Sequence, residues 1–332
     1  MKKILLKDRP SGQVSTEQFE IVNDMVPVPG PKEILVRTRY LSVDPYMRNR
    51  MNNVESYVAP FEVGAPIHSD GIAEVVESND PELKVGDLVY GSFAWQEYVI
   101  PDLKRTRKIP VDEGISPTYY LSLFGLTGLT AYFGLLDIGQ PRSGETVVIS
   151  AAAGAVGAIA GQIAKIHGCR VIGITGSADK AAHLTNDLGF DAVINYKATP
   201  NIRKALRAVS PDRVDIYFDN VGGDISDGVF NWLNNHSRVI LCGQIALYNL
   251  NRLSMGPRMY PQFLIHRTKL QGFIVYDYVK EFGHAVEHLK QWYREGKLIQ
   301  RENAIDGFDN LPQAFLGLFS GENTGKQLVR IY

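Results

Sequence analysis

The run Glu145-Thr-Val-Val-Ile-Ser150, continuing as Ala151-Ala-Ala-Gly-Ala-Val-Gly157, sets the architecture. Its first part is a short apolar segment of the kind buried on both faces of a parallel sheet. Small residues then turn into a helical stretch over 155–167, closed by Gly168. Downstream the period repeats. Strands are expected over 170–175, 192–196, 214–218 and 237–242, with 273–275 supplying a sixth. Helices are expected over 179–188, 202–209, 225–233 and 284–294. Strand-helix alternation of this kind implies right-handed crossovers and a doubly wound α/β sheet, the Rossmann arrangement.

Upstream the pattern differs. Segments 33–40, 71–77, 88–91 and 95–100 read as short strands separated by turns such as Gly86-Asp87, which suggests a compact antiparallel or barrel-like unit. The final ~35 residues are too few for a domain of their own and are expected to return to this β-rich unit. The expected division is therefore residues 1–121 with 302–332, and residues 122–301 between them. A chain of 332 residues fits about two domains.

With 45% hydrophobic residues the chain can bury two cores without disulfides or metals. Lys+Arg (35) and Asp+Glu (36) nearly cancel, which argues against a nucleic-acid binder working by counterion release. Cys169 and Cys242 lie far apart in apolar runs and read as buried thiols of a reducing compartment, with no Cys-rich zinc site. The opening Met-Lys-Lys-Ile-Leu-Leu is cut short by Lys7, Asp8 and Arg9, too soon for a signal core or membrane span. A cytoplasmic protein with no membrane partner is expected.

The small-residue turn is a variant of the dinucleotide fingerprint, with Ala152 in place of the first glycine, then Gly154 and Gly157. Gly154 lets the backbone approach a pyrophosphate, and Gly157 lets the helix pack closely on the strand. Ala153, Gly154, Ala155, Val156 and Gly157 are thus the expected diphosphate contacts at a helix N-terminus. The next strand ends in Thr175-Gly-Ser177 without the acidic residue that an NAD site usually places there. If Ser177 caps the following helix, Lys180 lies in its first turn, where a cation opposes the helix dipole unless an anion joins it. The 2′-phosphate of NADPH would be that anion, so NADP(H) is the expected cofactor. The alternative is an exposed lysine balanced by Asp179.

Four segments together resemble one family: Asp44-Pro-Tyr-Met-Arg48, Gly125-Leu-Thr-Gly-Leu-Thr-Ala-Tyr132, Ala151-Ala-Ala-Gly-Ala-Val-Gly157 and Tyr217-Phe-Asp-Asn-Val-Gly-Gly223. They are similar to the zinc-independent medium-chain reductases. The nearest branch is the leukotriene B4 dehydrogenase, prostaglandin reductase and 2-alkenal reductase group, including bacterial curcumin reductase. The resemblance spans nearly the whole chain. It implies a GroES-like domain completed by the tail, a Rossmann domain, and a cleft between them. It also implies NADPH-dependent reduction of the carbon–carbon double bond of α,β-unsaturated ketones and aldehydes, no metal, and a homodimer paired through an edge strand near Phe273.

By the same resemblance, Lys180 and Tyr196 contact the adenosine phosphate end and Asn220 the ribose–diphosphate region. Cys242, Gly243, Gln244, Ile245 and Tyr248 line the nicotinamide side, with Phe273, Ile274 and Val275 beside them, and Asn323 reaches the cofactor from the tail. Read on their own, 273–275 are core strand, Asn220 and Asn323 turn residues, and Tyr196 a strand-end aromatic. Hydride transfer to the β-carbon of an enone requires a donor for the developing enolate and a proton for the α-carbon. The cofactor's ribose hydroxyl is one such donor in this family. Tyr46 is the expected substrate-side phenol, or else a tyrosine packed under Pro45. Some relatives carry a tyrosine eight residues before the position of Phe273. Here Ile265 stands there and Tyr260 lies five residues earlier, which leaves the proton donor open. Arg48 and His68 read as cleft residues or as a solvated arginine and a surface histidine. An NADPH-dependent quinone oxidoreductase, or a non-catalytic NADPH-binding protein such as some lens crystallins, shares the same sequence features.

Overall fold

A computed structural model describes all residues except Val111, Pro200 and Leu253. The chain divides into two compact units. The first comprises Met1–Leu121, Glu302–Asn323 and Gln327–Tyr332; the second comprises Ser122–Arg301 and Thr324–Lys326.

In the first unit, β1 (Lys2–Leu6) pairs antiparallel with β2 (Phe19–Asn23). β3 (Ile34–Ser42), the short helix α1 (Met47–Arg50), β4 (His68–Ser78) and β5 (Leu88–Ala94) follow, then the two-residue strands β6 (Tyr98–Val99) and β7 (Arg107–Lys108). β-Branched and aromatic residues suit β3 to a pleated, largely buried position between neighbours. β4 turns into β5 through Lys84–Asp87, where the Lys84 N–H donates to Asp87 Oδ2 at 2.9 Å. Trp95 is fully buried, stacks on Phe19 with ring centroids 6.0 Å apart, and donates Nε1–H to Ser69 Oγ at 2.9 Å. The strand expected over 95–100 shrinks to β6: the Trp95 N–H donates instead to the Ile67 carbonyl at 2.7 Å, and the Trp95 carbonyl accepts from the Ile4 N–H at 2.9 Å. Arg48 is buried, not solvated: it donates to the Gly12 carbonyl at 2.7 Å and to Asn52 Oδ1 at 2.8 Å. His68 is exposed at the start of β4.

The second unit opens with α2 (Leu126–Phe133) and is built on a six-stranded parallel sheet. In chain order it runs β8 (Thr146–Ser150), α3 (Ala155–Ile166), β9 (Arg170–Thr175), α4 (Ala178–Asn186), β10 (Ala192–Asn195), α5 (Ile202–Val209), β11 (Val214–Asp219), α6 (Gly223–Phe230), β12 (Leu233–Leu241), α7 (Tyr260–His266), β13 (Lys269–Gly272) and α8 (Phe282–Arg294). The strand order β10-β9-β8-β11-β12-β13 is the doubly wound order, reversing between β8 and β11. All five residues of β8 are buried, as its apolar run requires.

Two boundaries depart from the sequence reading. The sixth strand is Lys269-Leu-Gln-Gly272, paired in parallel with Arg238 to Leu241, and not 273–275. An edge strand has one free side and needs no continuous apolar run. Phe273 and Ile274 follow it, and Val275 begins a 3₁₀ turn, Val275–Glu281. Likewise α6 stops at Phe230, because Leu233 is drawn into the sheet beside Val214 and the Trp232 indole N–H donates to the Ser210 carbonyl at 2.8 Å.

The C-terminal part supplies β14 (Glu302–Asp306), α9 (Leu311–Ser320) and β15 (Lys326–Arg330), and β15 lies antiparallel to β3. With β14 at one edge they complete the seven-stranded sheet of the first unit.

Candidate active site

The carboxyl ends of the parallel strands gather most of the residues singled out above. β8 leads into Ala151, held at φ 47°, and the Gly154 N–H returns to the Ala151 carbonyl at 2.9 Å. Gly154 stands at the N-cap of α3, so no capping side chain covers the first N–H groups of that helix. A Cβ on Gly157 would lie 2.5 Å from the Ala151 carbonyl oxygen, so close helix–strand packing requires glycine there. The situation at Gly154 is different. A Cβ there would meet only the Ala151 carbonyl oxygen, at 3.1 Å, and the protein's own packing therefore asks little of that position. A bare helix start fronted by glycine fits an anionic ligand approaching the backbone. Ala153 closes the turn from behind, its carbonyl accepting from the Gly325 N–H at 2.8 Å, and Ala155 and Val156 form the first turn of α3. Asn323 immediately precedes this Thr324–Lys326 segment in the chain.

At the end of β9, Ser177 caps α4, its Oγ accepting from the Lys180 N–H at 3.3 Å. The Tyr196 N–H donates to the Thr175 carbonyl at 3.0 Å, so β9 and β10 leave the sheet side by side. Tyr196 is 39% exposed, and its ring covers Gly176, where a Cβ would lie 3.0 Å from it. Burial, and then the charge of Lys197, hold the Lys180 ammonium below the usual lysine range. Two lysines repelling each other beside a helix N-terminus make an electropositive corner suited to a phosphate. Lys197 was missed in the sequence; its signal is its position directly after the strand-end Tyr196.

At β11 and β12 the organising group is Asp219, which is 1% exposed. Its carboxylate accepts from the Tyr217 hydroxyl (2.9 Å), Ser226 Oγ (2.7 Å), Ser150 Oγ (3.2 Å), the Val221 and Gly222 N–H groups (both 3.0 Å) and Gln244 Nε2 (3.1 Å). Its main-chain carbonyl accepts from the N–H groups of Cys242 (2.9 Å) and Gly243 (3.0 Å). The Asn220 amide is tied to the Ser150 carbonyl at 2.8 Å, joining the ends of β8 and β11. The Ile245 N–H reaches the Asn220 carbonyl at 3.4 Å, and the Gln244 N–H donates to the Tyr248 hydroxyl at 3.1 Å.

The loop so fixed forms one wall of a cavity of about 460 Å³, lined by Cys242, Gly243, Gln244, Tyr248, Phe273 and Ile274 among others. Ile245 and Val275, expected beside the nicotinamide, do not line it. Cys242 is half-buried as a residue, yet burial of its thiol, with Asp219 nearby, pushes its pKa up to about 12, so it stays a thiol at neutral pH. A second cavity, of about 480 Å³, includes Asp219, Ser226, Arg258, Phe263 and Tyr260 in its lining. Tyr260 begins α7 and is 77% exposed. Tyr46 precedes α1 in the first unit and packs, partly buried, against that unit's core. Among the described residues no group of three or more His, Cys, Asp or Glu side chains could hold a metal ion. No described helix is long and apolar enough to cross a membrane.

Comparison with known proteins agrees with this geometry. The profile of the N-terminal domain of oxidoreductases matches residues 2–109, and that of the zinc-binding dehydrogenases matches residues 155–291. The Bacillus subtilis protein YfmJ is 49% identical over 335 residues, covering 99% of this chain and 97% of its own length. The NADPH-dependent curcumin reductase of Escherichia coli is 40% identical, over 99% of this chain and 96% of that one. The crystal structure of CurA from Vibrio vulnificus in complex with NADPH superposes with a TM-score of 0.95 at 40% identity, covering 100% of this chain and 99% of CurA. The chain belongs to the medium-chain dehydrogenase/reductase family, in the branch that contains the curcumin reductases.

Proposed function

We propose that this protein is an NADPH-dependent reductase of the carbon–carbon double bond of α,β-unsaturated ketones and aldehydes. One observation carries the reading: the glycine turn, the two-lysine corner and the cavity behind the 242–248 loop lie in sequence along the carboxyl edge of one doubly wound sheet. A dinucleotide lies across that edge at the switch point. The curcumin reductase and CurA matches support the same cofactor and reaction class.

Ala153 to Gly157 would hold the diphosphate against the start of α3. Ser177, Lys180 and Tyr196 would hold the 2′-phosphate end, and Asn220 and Asn323 the ribose–diphosphate region. Cys242, Gly243, Gln244, Tyr248, Phe273 and Ile274 would flank the nicotinamide. NADPH, when bound there, supplies the hydride for the substrate's β-carbon. The protein's share is alignment and water exclusion, for which a cavity wall fixed by the Asp219 hydrogen bonds is suited. Tyr46 and Tyr260 are the candidate phenols for the carbonyl oxygen or the α-carbon proton.

The working form is a cytoplasmic homodimer. β13 is an edge strand with an open side, and the neighbouring α7 exposes Leu264 (79%) and Ile265. A dimer mass in solution supports this assembly, and a monomer mass contradicts it. The catalytic reading is tested by NADPH oxidation across a panel of 2-alkenals, 2-alkenones and quinones. Turnover with the first two and not with quinones is the expected result; turnover with quinones alone overturns it.

A further inference from the structure

We propose that the buried carboxylate of Asp219 favours the oxidised over the reduced form of the bound nicotinamide cofactor, through charge and without touching it. This rests on the cofactor placement proposed above. Asp219 is almost wholly buried, and its six hydrogen-bond donors are all neutral: three hydroxyls, two backbone N–H groups and one amide. Neutral donors orient around a negative charge but do not cancel it, as an arginine or lysine partner would. The charge therefore projects into its surroundings, at low dielectric and largely unscreened by salt.

Its position is specific. Asp219 ends β11 at the sheet's switch point, and its own carbonyl anchors Cys242 and Gly243, two lining residues of the cavity behind the 242–248 loop. With the adenosine half at β9 and β10, the opposite half of a dinucleotide falls over the ends of β11 and β12. The reduced ring is neutral and the oxidised ring carries a positive charge, so a fixed negative charge nearby stabilises the oxidised ring preferentially. Burial raises the pKa of both the Cys242 thiol and the Tyr248 phenol, and the Asp219 charge adds to it in each, so the field reaches this wall. The other charged side chains lining these two cavities are Asp227, Arg258 and Asp277. Arg258 and Asp277 are exposed and screened by water; Asp227, half-buried, has the same sign as Asp219.

The test measures dissociation constants for NADPH, NADP⁺ and 2′-phospho-ADP-ribose, which lacks the nicotinamide, on folded wild type, Asp219→Asn and Asp219→Ser. Asp219→Asn removes the charge but keeps an oxygen for Tyr217, Val221 and Gly222. Asp219→Ser removes the charge and leaves a smaller hydroxyl in its place. Each variant should raise the NADP⁺-to-NADPH ratio of dissociation constants about three- to tenfold. Binding of 2′-phospho-ADP-ribose should stay within about twofold. If Asp219→Asn fails to fold, Asp219→Ser decides. An unchanged ratio in the folded variants, or an equal loss of all three ligands, overturns the inference. Failure of wild type to bind NADPH overturns the cofactor placement instead.

Discussion

Replacing Lys180 with alanine probes the cofactor assignment from two directions. Lys180 sits in the first turn of α4, three residues after the Ser177 cap, and its ammonium is already disfavoured by burial and by Lys197. A cation at that end of a helix opposes the dipole by about 0.3–1 kcal/mol. Without ligand, Lys180→Ala should therefore leave the protein unharmed or stabilise it by about that amount, a rise of roughly 1–4 °C in Tm for a domain of this size. With NADPH the balance inverts. A charge-assisted contact to a phosphate is worth about 1.5–3 kcal/mol, so the variant should lose roughly 10- to 150-fold in NADPH affinity. NADH lacks that phosphate and should change by less than about twofold. Titration of both nucleotides, with thermal unfolding of the ligand-free protein, gives the complete comparison. Equal losses for NADPH and NADH, or a marked fall in the ligand-free Tm, would refute the phosphate corner.

Further outcomes follow from the same geometry. Gly154→Ala should weaken NADPH binding by at least about tenfold in a protein whose circular dichroism is unchanged, since the added Cβ stands in the ligand's approach and meets a single protein atom within 4 Å, the Ala151 carbonyl oxygen at 3.1 Å. Retained affinity contradicts that placement. Arg238 grips Glu145 through two bonds of 2.8 and 2.6 Å and also donates to the Gly139 carbonyl, so Arg238→Ala should cost about 2–4 kcal/mol in denaturant unfolding. A loss below about 0.5 kcal/mol would show the pair to be idle. Lys180 also sets a pH dependence. Its pKa lies below the usual lysine range in the free protein, and a phosphate would raise it, so NADPH binding should take up protons in the alkaline range and weaken as pH rises through the lowered pKa. Calorimetry in buffers of different ionisation enthalpy measures this uptake; none is expected with NADH.

The central sheet was readable because β8, β9 and β11 are buried on both faces and their sequences are nearly continuous apolar runs. Ser177 was readable as a cap because an oxygen-bearing side chain before a helical stretch has few other local uses. The misses share a cause: partners distant in the chain. β13 carries Lys269 and Gln271, and only its pairing with β12 makes it a strand. β1 depends on β2, some fifteen residues later, and Arg48 is buried because Gly12 and Asn52 take its guanidinium. Asp219 stood within the quoted Tyr-Phe-Asp-Asn segment, but three of its six donors, Ser150, Ser226 and Gln244, come from β8, α6 and the loop after β12. Nothing local marks such a convergence. The carboxyl edge of the sheet was legible as motifs, whereas the carboxylate that organises it became visible only through the fold.

The most direct test of the account follows the hydride itself. The purified protein is given NADPH labelled with deuterium at the transferable position, together with an α,β-unsaturated ketone, and the product is read by mass spectrometry and NMR. The expected product is a saturated ketone with one deuterium on the former β-carbon. A saturated product without label there, or no reduction of the double bond while NADPH still binds, would contradict it.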